Sequence, residues 1–293
     1  MSEPHAGRGG VPSLNGPDVE PPPSRPVRKD EIVIADRGLY VESWLPERRS
    51  RRKPLFLLHG ELAGSWLWER YLSYFAQRGW EGHALNLAAH FWSETADLAS
   101  LDMDSYLADA RAGLDALGRP AVLVGHGLGA LLAMRLTGSH DPAGLILVSP
   151  ALPKPIRSEP PPHVVRLVPA TFRQELIGWA GPPELIRQQD PDLSSLDVRR
   201  IQHLMGAESG AARRQMLAGV SVDRESLAGV PTLVLGGGLD RLFPAADSER
   251  LAQWLGAEYQ SFPDHSHYGL VVGERTHEPV ADAIRTFLET HRL

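Results

Sequence analysis

The residues of this 293-residue chain that could do chemistry sit directly behind short apolar runs. His59-Gly60-Glu61 follows Leu55-Phe56-Leu57-Leu58, and Gly125-His126-Gly127-Leu128-Gly129 follows Ala121-Val122-Leu123-Val124. Gly236-Gly237-Gly238-Leu239-Asp240 follows Pro231 to Leu235, and Asp264, His265, Ser266 and His267 follow Glu258 to Phe262. A histidine oriented by a carboxylate can act as a general base. The chain has no cysteine, which excludes disulfides, thiolate catalysis and thiolate-held zinc. Its twelve histidines are scattered, so no metal is expected. The triple glycine lacks the lysine and spacing of a phosphate loop and the pattern of a dinucleotide site, so no cofactor is implied.

The apolar runs suit parallel strands buried on both faces. Glu31 to Ala35 and Leu39 to Trp44 read as a hairpin around Asp36-Arg37-Gly38. Further strands are expected at 54–58, 80–87, 121–124, 145–148, 231–235 and, more weakly, 258–262. Helices are expected at 66–78, 103–117, 129–137, 246–255 and 280–291. This alternation predicts an α/β fold, a mostly parallel sheet covered by helices on both faces. Binding sites in such sheets lie outside the carboxyl ends of the strands, where every motif above falls. Residues 151–220 break the rhythm, are rich in Pro and Arg, and read as a helical cap insert over those ends. The core divides into 29–150 and 221–293. Residues 1–28, with Pro21-Pro22-Pro23, read as a disordered tail.

Hydrophobic residues make up 42% and charged residues 23%, as in a soluble globular protein. The net charge of -6 gives no pull toward nucleic acid or an anionic membrane. No apolar run reaches the roughly 18 residues of a membrane span, and no signal peptide is evident. These features fit the cytoplasm.

Three segments together resemble the α/β-hydrolase family: Leu57-Leu58-His59-Gly60 with Trp66 and Trp68; Val124-Gly125-His126-Gly127-Leu128-Gly129; and Gly236 to Asp240 with Ser266-His267-Tyr268. The resemblance runs from about residue 30 to the end. It implies a Gly-x-Ser-x-Gly turn between strand and helix, presenting a nucleophilic serine. Here the middle residue is Gly127, so no acyl-enzyme can form at that position. Glycine also tolerates the turn's positive φ, removing roughly 1 kcal/mol of strain. By the same resemblance Asp240 is the acid and His267 the base, with Asp264 and His265 as competitors. The backbone amides of Leu128 and Glu61 would form the oxyanion hole.

The chain departs from the family pattern at a second place. Where similar enzymes read Asp-Leu-Arg-Gly-His-Gly-x-Ser, this chain reads Asn86-Leu87-Ala88-Ala89-His90-Phe91-Trp92-Ser93. Phe91 and Trp92 are expected to line a pocket or fill core. Glu61 would repel a developing oxyanion unless protonated, paired or turned away, or it serves other chemistry. Ser65, Ser149 and Ser266 lie near strand ends and read as structural. Glu208-Ser209 and Arg213-Arg214 read as a capping box or solvated face, with anion binding as the sharper alternative. Three functions stay open. One is non-covalent His–Asp general-base chemistry, by water-activated hydrolysis, elimination or isomerisation, on a small apolar or ester-like molecule. The second is a pseudoenzyme binding a small ligand or protein partner. The third is a serine ester or amide hydrolase carrying an engineered change.

Overall fold

The computed structural model describes residues 27–48 and 50–293. In chain order the elements are β1 (Val27–Ile34), β2 (Leu39–Pro46), β3 (Leu55–Leu58), α1 (Glu69–Gln77), β4 (Gly82–Asn86), α2 (Met103–Leu117), β5 (Val122–His126), α3 (Leu128–Leu136) and β6 (Gly144–Val148). Within residues 151–220 lie α4 (Pro162–Arg166), β7 (Thr171–Phe172), α5 (Pro183–Gln189), α6 (Val198–Leu204), β8 (Glu208–Ser209) and α7 (Gly210–Ala218). The chain closes with β9 (Thr232–Gly237), α8 (Ala245–Leu255), β10 (Glu258–Phe262) and α9 (His277–Thr290).

Eight strands form one sheet in the order β1-β2-β4-β3-β5-β6-β9-β10. β1 and β2 form the expected antiparallel hairpin, and β2 runs antiparallel to β4; every other pair is parallel. β1 begins at Val27, two residues inside the expected tail; the rest of that tail, with Pro21-Pro22-Pro23, lies outside the described residues. β1 is an edge strand with exposed Arg28, Lys29, Asp30 and Glu31, charges that discourage pairing with another chain.

The apolar runs are buried along their whole length because both faces of the sheet are covered. Alternate residues supply two cores. Leu55, Leu57, Val124, Ile146 and Leu235 join α1 and α9 on one face. Phe56, Leu58, Leu123, Leu147 and Val234 join α2, α3 and α8 on the other. The helices follow from local chemistry: Asp102 caps α2 by accepting from the amides of Asp104 and Ser105 at 3.1 and 2.9 Å. Phe172, Trp179, Leu193 and Ile201 of the insert belong to the α1/α9 core, and Leu152, Met216 and Val220 to the other, so the insert is packed on the sheet domain. No helix among the described residues is long and apolar enough to cross a membrane.

Two glycines let α3 lie directly on the sheet. A Cβ on Gly125 would stand 2.6 Å from the amide nitrogen of Ala130, and one on Gly129 would run into the carbonyl oxygens of Leu58 and His59. Gly127 is different. Its φ is +54°, but a Cβ there would meet only ordinary contacts, the nearest at 3.4 Å. Gly129→Ala should therefore cost about 3 kcal/mol through a backbone clash. Gly127→Ala should cost only about 1 kcal/mol, from the unfavourable φ. Urea denaturation of the two variants measures this, and equal losses would contradict the close-approach account.

Candidate functional site

Because β3, β4, β5, β6, β9 and β10 are parallel, their carboxyl ends share one edge of the sheet. His59, Gly127, Ser149, Asp240 and His267 all follow those ends. Asp240 and His267 meet there: His267 Nδ1 lies 2.8 Å from Asp240 Oδ2. A carboxylate only accepts, so Nδ1 carries a proton and donates it to Asp240. The other Asp240 oxygen accepts from the amides of Leu242 and Phe243, both at 2.8 Å. Burial pushes the Asp240 carboxyl up, but the His267 charge and these hydrogen bonds outweigh it and hold it below its ordinary value. The competitors drop out. His265 Nε2 bonds the carbonyl of Thr276 at 2.9 Å, and Asp264 is exposed.

Gly127 occupies the apex between β5 and α3, facing the other edge of the His267 ring. A Cβ there would stand 3.6 Å from Cε1 and 3.7 Å from Nε2 of His267, and 3.4 Å from Phe243 Cε2. None of the three nearby serines supplies a hydroxyl to Nε2. Ser65 Oγ donates to Glu42 at 2.7 Å, and Ser266 Oγ donates to Asp192 at 3.1 Å. Ser149 does reach the ring, but at Nδ1, 2.8 Å away on the Asp240 side, where its hydroxyl also donates to Asp240.

Leu128 is the first residue of α3 and is buried. Glu61 is paired: Arg213 of α7 reaches one of its oxygens at 2.6 Å, while the other has no hydrogen-bond partner among the described residues. Burial pushes the Glu61 carboxyl up, Arg213 opposes the shift and Glu208 adds to it. His126 packs its ring 4.1 Å from that of His267 and donates from Nε2 to the His267 carbonyl at 3.2 Å. Burial first, and then the His267 charge, hold His126 well below its ordinary value, so it stays neutral. His59 is a buried brace: Nδ1 donates to the carbonyl of Gly60 at 2.8 Å, and Nε2 accepts from the amide of Leu87 at 3.2 Å. Burial and the neighbouring His90 charge lower it to about 3.

Phe91 and Trp92 do not fill core. They are 38% and 67% exposed and lie against each other with ring centroids 5.0 Å apart. The turn that carries them keeps left-handed backbone without glycine, with φ +64° at Ala89 and +46° at Phe91. These are the two positions where the resembling pattern has glycine, and each costs roughly 1–2 kcal/mol. Ser93 holds the turn, accepting from the Tyr40 amide at 3.0 Å and donating to the Asn86 carbonyl at 2.7 Å.

Glu208 overturns the reading of a solvated face. Its side chain is buried and takes four donors: the Leu62 amide at 3.0 Å, His90 Nε2 at 3.2 Å, the Ser209 amide at 2.7 Å and the Tyr106 hydroxyl. Ser209 does cap α7, accepting from the Ala212 amide at 3.2 Å. Glu208 thus ties the insert to the loop after β3, the turn after β4 and α2. Asp192 adds a tie by accepting from the Ser266 amide at 2.8 Å. Nothing local in the sequence marks Glu208 as buried, since its partners are 102 to 146 residues away apart from Ser209. Phe243 was missed too, although the spacing Asp240-x-x-Phe243 is that of a carboxylate accepting from amides two and three residues on.

A mostly parallel sheet, a glycine-flanked turn between strand and helix, and an Asp–His pair at the strand ends together define the α/β-hydrolase architecture. The family model described as the alpha/beta hydrolase family matches residues 55–283, and the chain belongs to that family. Among solved structures, a hydrolase from Pseudomonas aeruginosa PA01 is 21% identical with a TM-score of 0.64, over 89% of this chain and 98% of that one. A thermophilic esterase from Thermogutta terrifontis is 21% identical with a TM-score of 0.65, over 91% and 100%. An esterase from Exiguobacterium antarcticum is 18% identical with a TM-score of 0.65, over 86% and 95%. At these identities the likeness speaks to the fold. No curated protein matches the chain.

The buried Glu208–His90 pair sets a pH dependence. Burial alone would raise Glu208, but His90 and the hydrogen bonds lower it from 4.5 to about 2. It therefore contributes stability above about pH 4.5 that is lost as pH falls toward 2. Burial alone would lower His90, but Glu208 raises it above 6.5. Its contribution is full below about pH 6.5 and is lost as pH rises through the raised value. Glu208→Gln should destabilise by about 3 kcal/mol between pH 4.5 and 6.5, with the gap narrowing on both sides. Urea denaturation across pH measures it, and a gap that does not vary with pH would contradict the assignment.

Proposed function

We propose that this chain is a serine-free member of its family that uses His267 and Asp240 as a general base on a small molecule, with no covalent intermediate. The observation that carries this reading is the two-sided state of the His267 ring. Nδ1 is saturated by Asp240 and Ser149, while Nε2 faces Gly127, which has no side chain. Gly127 stands where the family pattern has its serine, and the space of that missing side chain suits a water or the substrate's own acidic atom.

With an ester-like substrate the step runs as follows. His267 Nε2 takes a proton from water as the water oxygen bonds the carbonyl carbon. The backbone amides of Leu128 and Glu61 donate to the carbonyl oxygen as it gains charge. The bond to the leaving oxygen then breaks, and that oxygen takes the proton from Nε2. The same base serves elimination or isomerisation, where the proton comes from carbon. Asp240 keeps the ring oriented and stabilises its charged form. The Leu62 amide is held by Glu208, which fixes the loop next to Glu61. Leu128, Phe243 and Tyr268 give the site apolar walls, and the insert over residues 151–220 acts as its cap. The Glu61 carboxylate works against an oxyanion, and Arg213 offsets part of that charge.

A second reading, a ligand-holding pseudoenzyme, is favoured by the enclosure of the site, because His267, His126 and Leu128 are all buried. A lone serine-to-glycine replacement does not account for Ala89 and Phe91, which depart from the pattern elsewhere.

An activated ester separates these readings. Wild type should hydrolyse p-nitrophenyl acetate without a burst, on the order of 10²-fold above background, and His267→Ala should abolish this. Intact mass after a fluorophosphonate should show no adduct on wild type. Gly127→Ser should acquire both a burst and an adduct. Wild-type activity equal to that of His267→Ala would defeat the catalytic reading and leave the binding one. An adduct on a serine of the wild-type chain would defeat the serine-free reading.

A further inference from the structure

We propose that Ser149 is a positioning residue of the Asp240–His267 pair, a third member that locks the ring from the side away from Gly127. This rests on the general-base reading above. Ser149 follows β6, the strand between those that carry Gly127 and Asp240, and it is fully buried. Its hydroxyl has two partners, and both belong to the pair. It donates to Asp240 Oδ2 and lies 2.8 Å from His267 Nδ1, whose proton it therefore shares with the carboxylate.

The backbone is bent to bring it there. Ser149 has φ +45°, a left-handed conformation that side chains other than glycine rarely adopt, and its amide is anchored on the Leu235 carbonyl at 2.8 Å. Strain of this kind persists where the surroundings over-determine it, and it gathers at functional sites. A residue kept only for packing would gain nothing from a hydroxyl at that point.

The consequence concerns ring rotation. One hydrogen bond from Nδ1 leaves the imidazole free to rock about that bond. Two acceptors on the same proton, one from β6 and one from the loop after β9, define the ring plane and hold Nε2 toward Gly127. Asp240 in turn has every polar contact filled: Oδ1 by the Leu242 and Phe243 amides, Oδ2 by Ser149 and His267. The same geometry explains why Ser149 is no nucleophile, since its proton points to Asp240 and Nε2 lies on the far edge of the ring.

The test needs no knowledge of the natural substrate. The ring nitrogens and the Nδ1–H proton of His267 are followed by ¹H–¹⁵N NMR in wild type, Ser149→Ala and Ser149→Gly. The glycine variant suits the positive φ, so it removes the hydroxyl without a backbone penalty. In wild type the Nδ1–H signal should be sharp; in both variants it should shift and broaden. In the Gly127→Ser background, loss of the hydroxyl should lower kcat for p-nitrophenyl acetate about tenfold with KM unchanged. An unmoved Nδ1–H signal in both variants would overturn the proposal, whatever the rates. If Gly127→Ser gains no activity, the catalytic reading fails, while the NMR comparison still decides the role of Ser149.

Discussion

The structure depends on one close approach of backbone to backbone. The first turn of the helix after β5 meets the sheet backbone to backbone, because Gly125 and Gly129 leave no Cβ to intervene. That contact tilts the β5–α3 turn and points Gly127 at the His267 ring. A methyl group at either flanking glycine would push the helix away and carry the amide of Leu128 with it. Side-chain packing adapts by rotating; two backbones in contact cannot. The flanking glycines are therefore a geometric requirement, while the glycine between them is not: a Cβ at Gly127 would meet only ordinary contacts.

The second organising feature is buried charge. Asp240 and Glu208 are both carboxylates taken out of water and both held ionised by several donors, yet they serve different ends. Asp240 faces one histidine and two backbone amides within a few residues, so it orders the site itself. Glu208 gathers donors from the loop after β3, the turn after β4, α2 and its own chain neighbour. Removing one partner of such a network strands the others in a medium that cannot solvate them, so buried pairs act as locks. The insert is thus joined to the domain at the loop that begins with His59 and Gly60, and Asp192 joins it again at Ser266.

These two features set an Asp–His pair at the strand ends, with the His267 ring beside Gly127. The neutral His126 supports the ring from one face, and Phe243 approaches the space above Gly127. Glu61, in the loop after β3, is paired with Arg213 of α7. In the turn from Ala88 to Ser93, two left-handed residues keep the path of the chain without the glycines that would make it easy, and its aromatic rings face solvent.

Much of this was legible in the residues. The wholly apolar runs announced parallel strands, since only a sheet covered on both faces buries both sides of a strand. α2 and α3 fell where helical spacing put them, within a residue, and the glycine spacing around Gly127 identified the turn. The family resemblance pointed to Asp240 and His267, and the two side chains lie 2.8 Å apart. The tertiary structure alone decided the rest. It sent Phe91 and Trp92 outward, gave Glu61 to Arg213, buried Glu208 among donors more than a hundred residues away and set Ser149 on the wrong edge of the ring to attack. The physical reason is range. Periodicity and turn chemistry act over a few residues and are written along the chain, whereas the partners of a buried charge and the direction of a hydroxyl are set by contacts between segments that meet only once the sheet has formed.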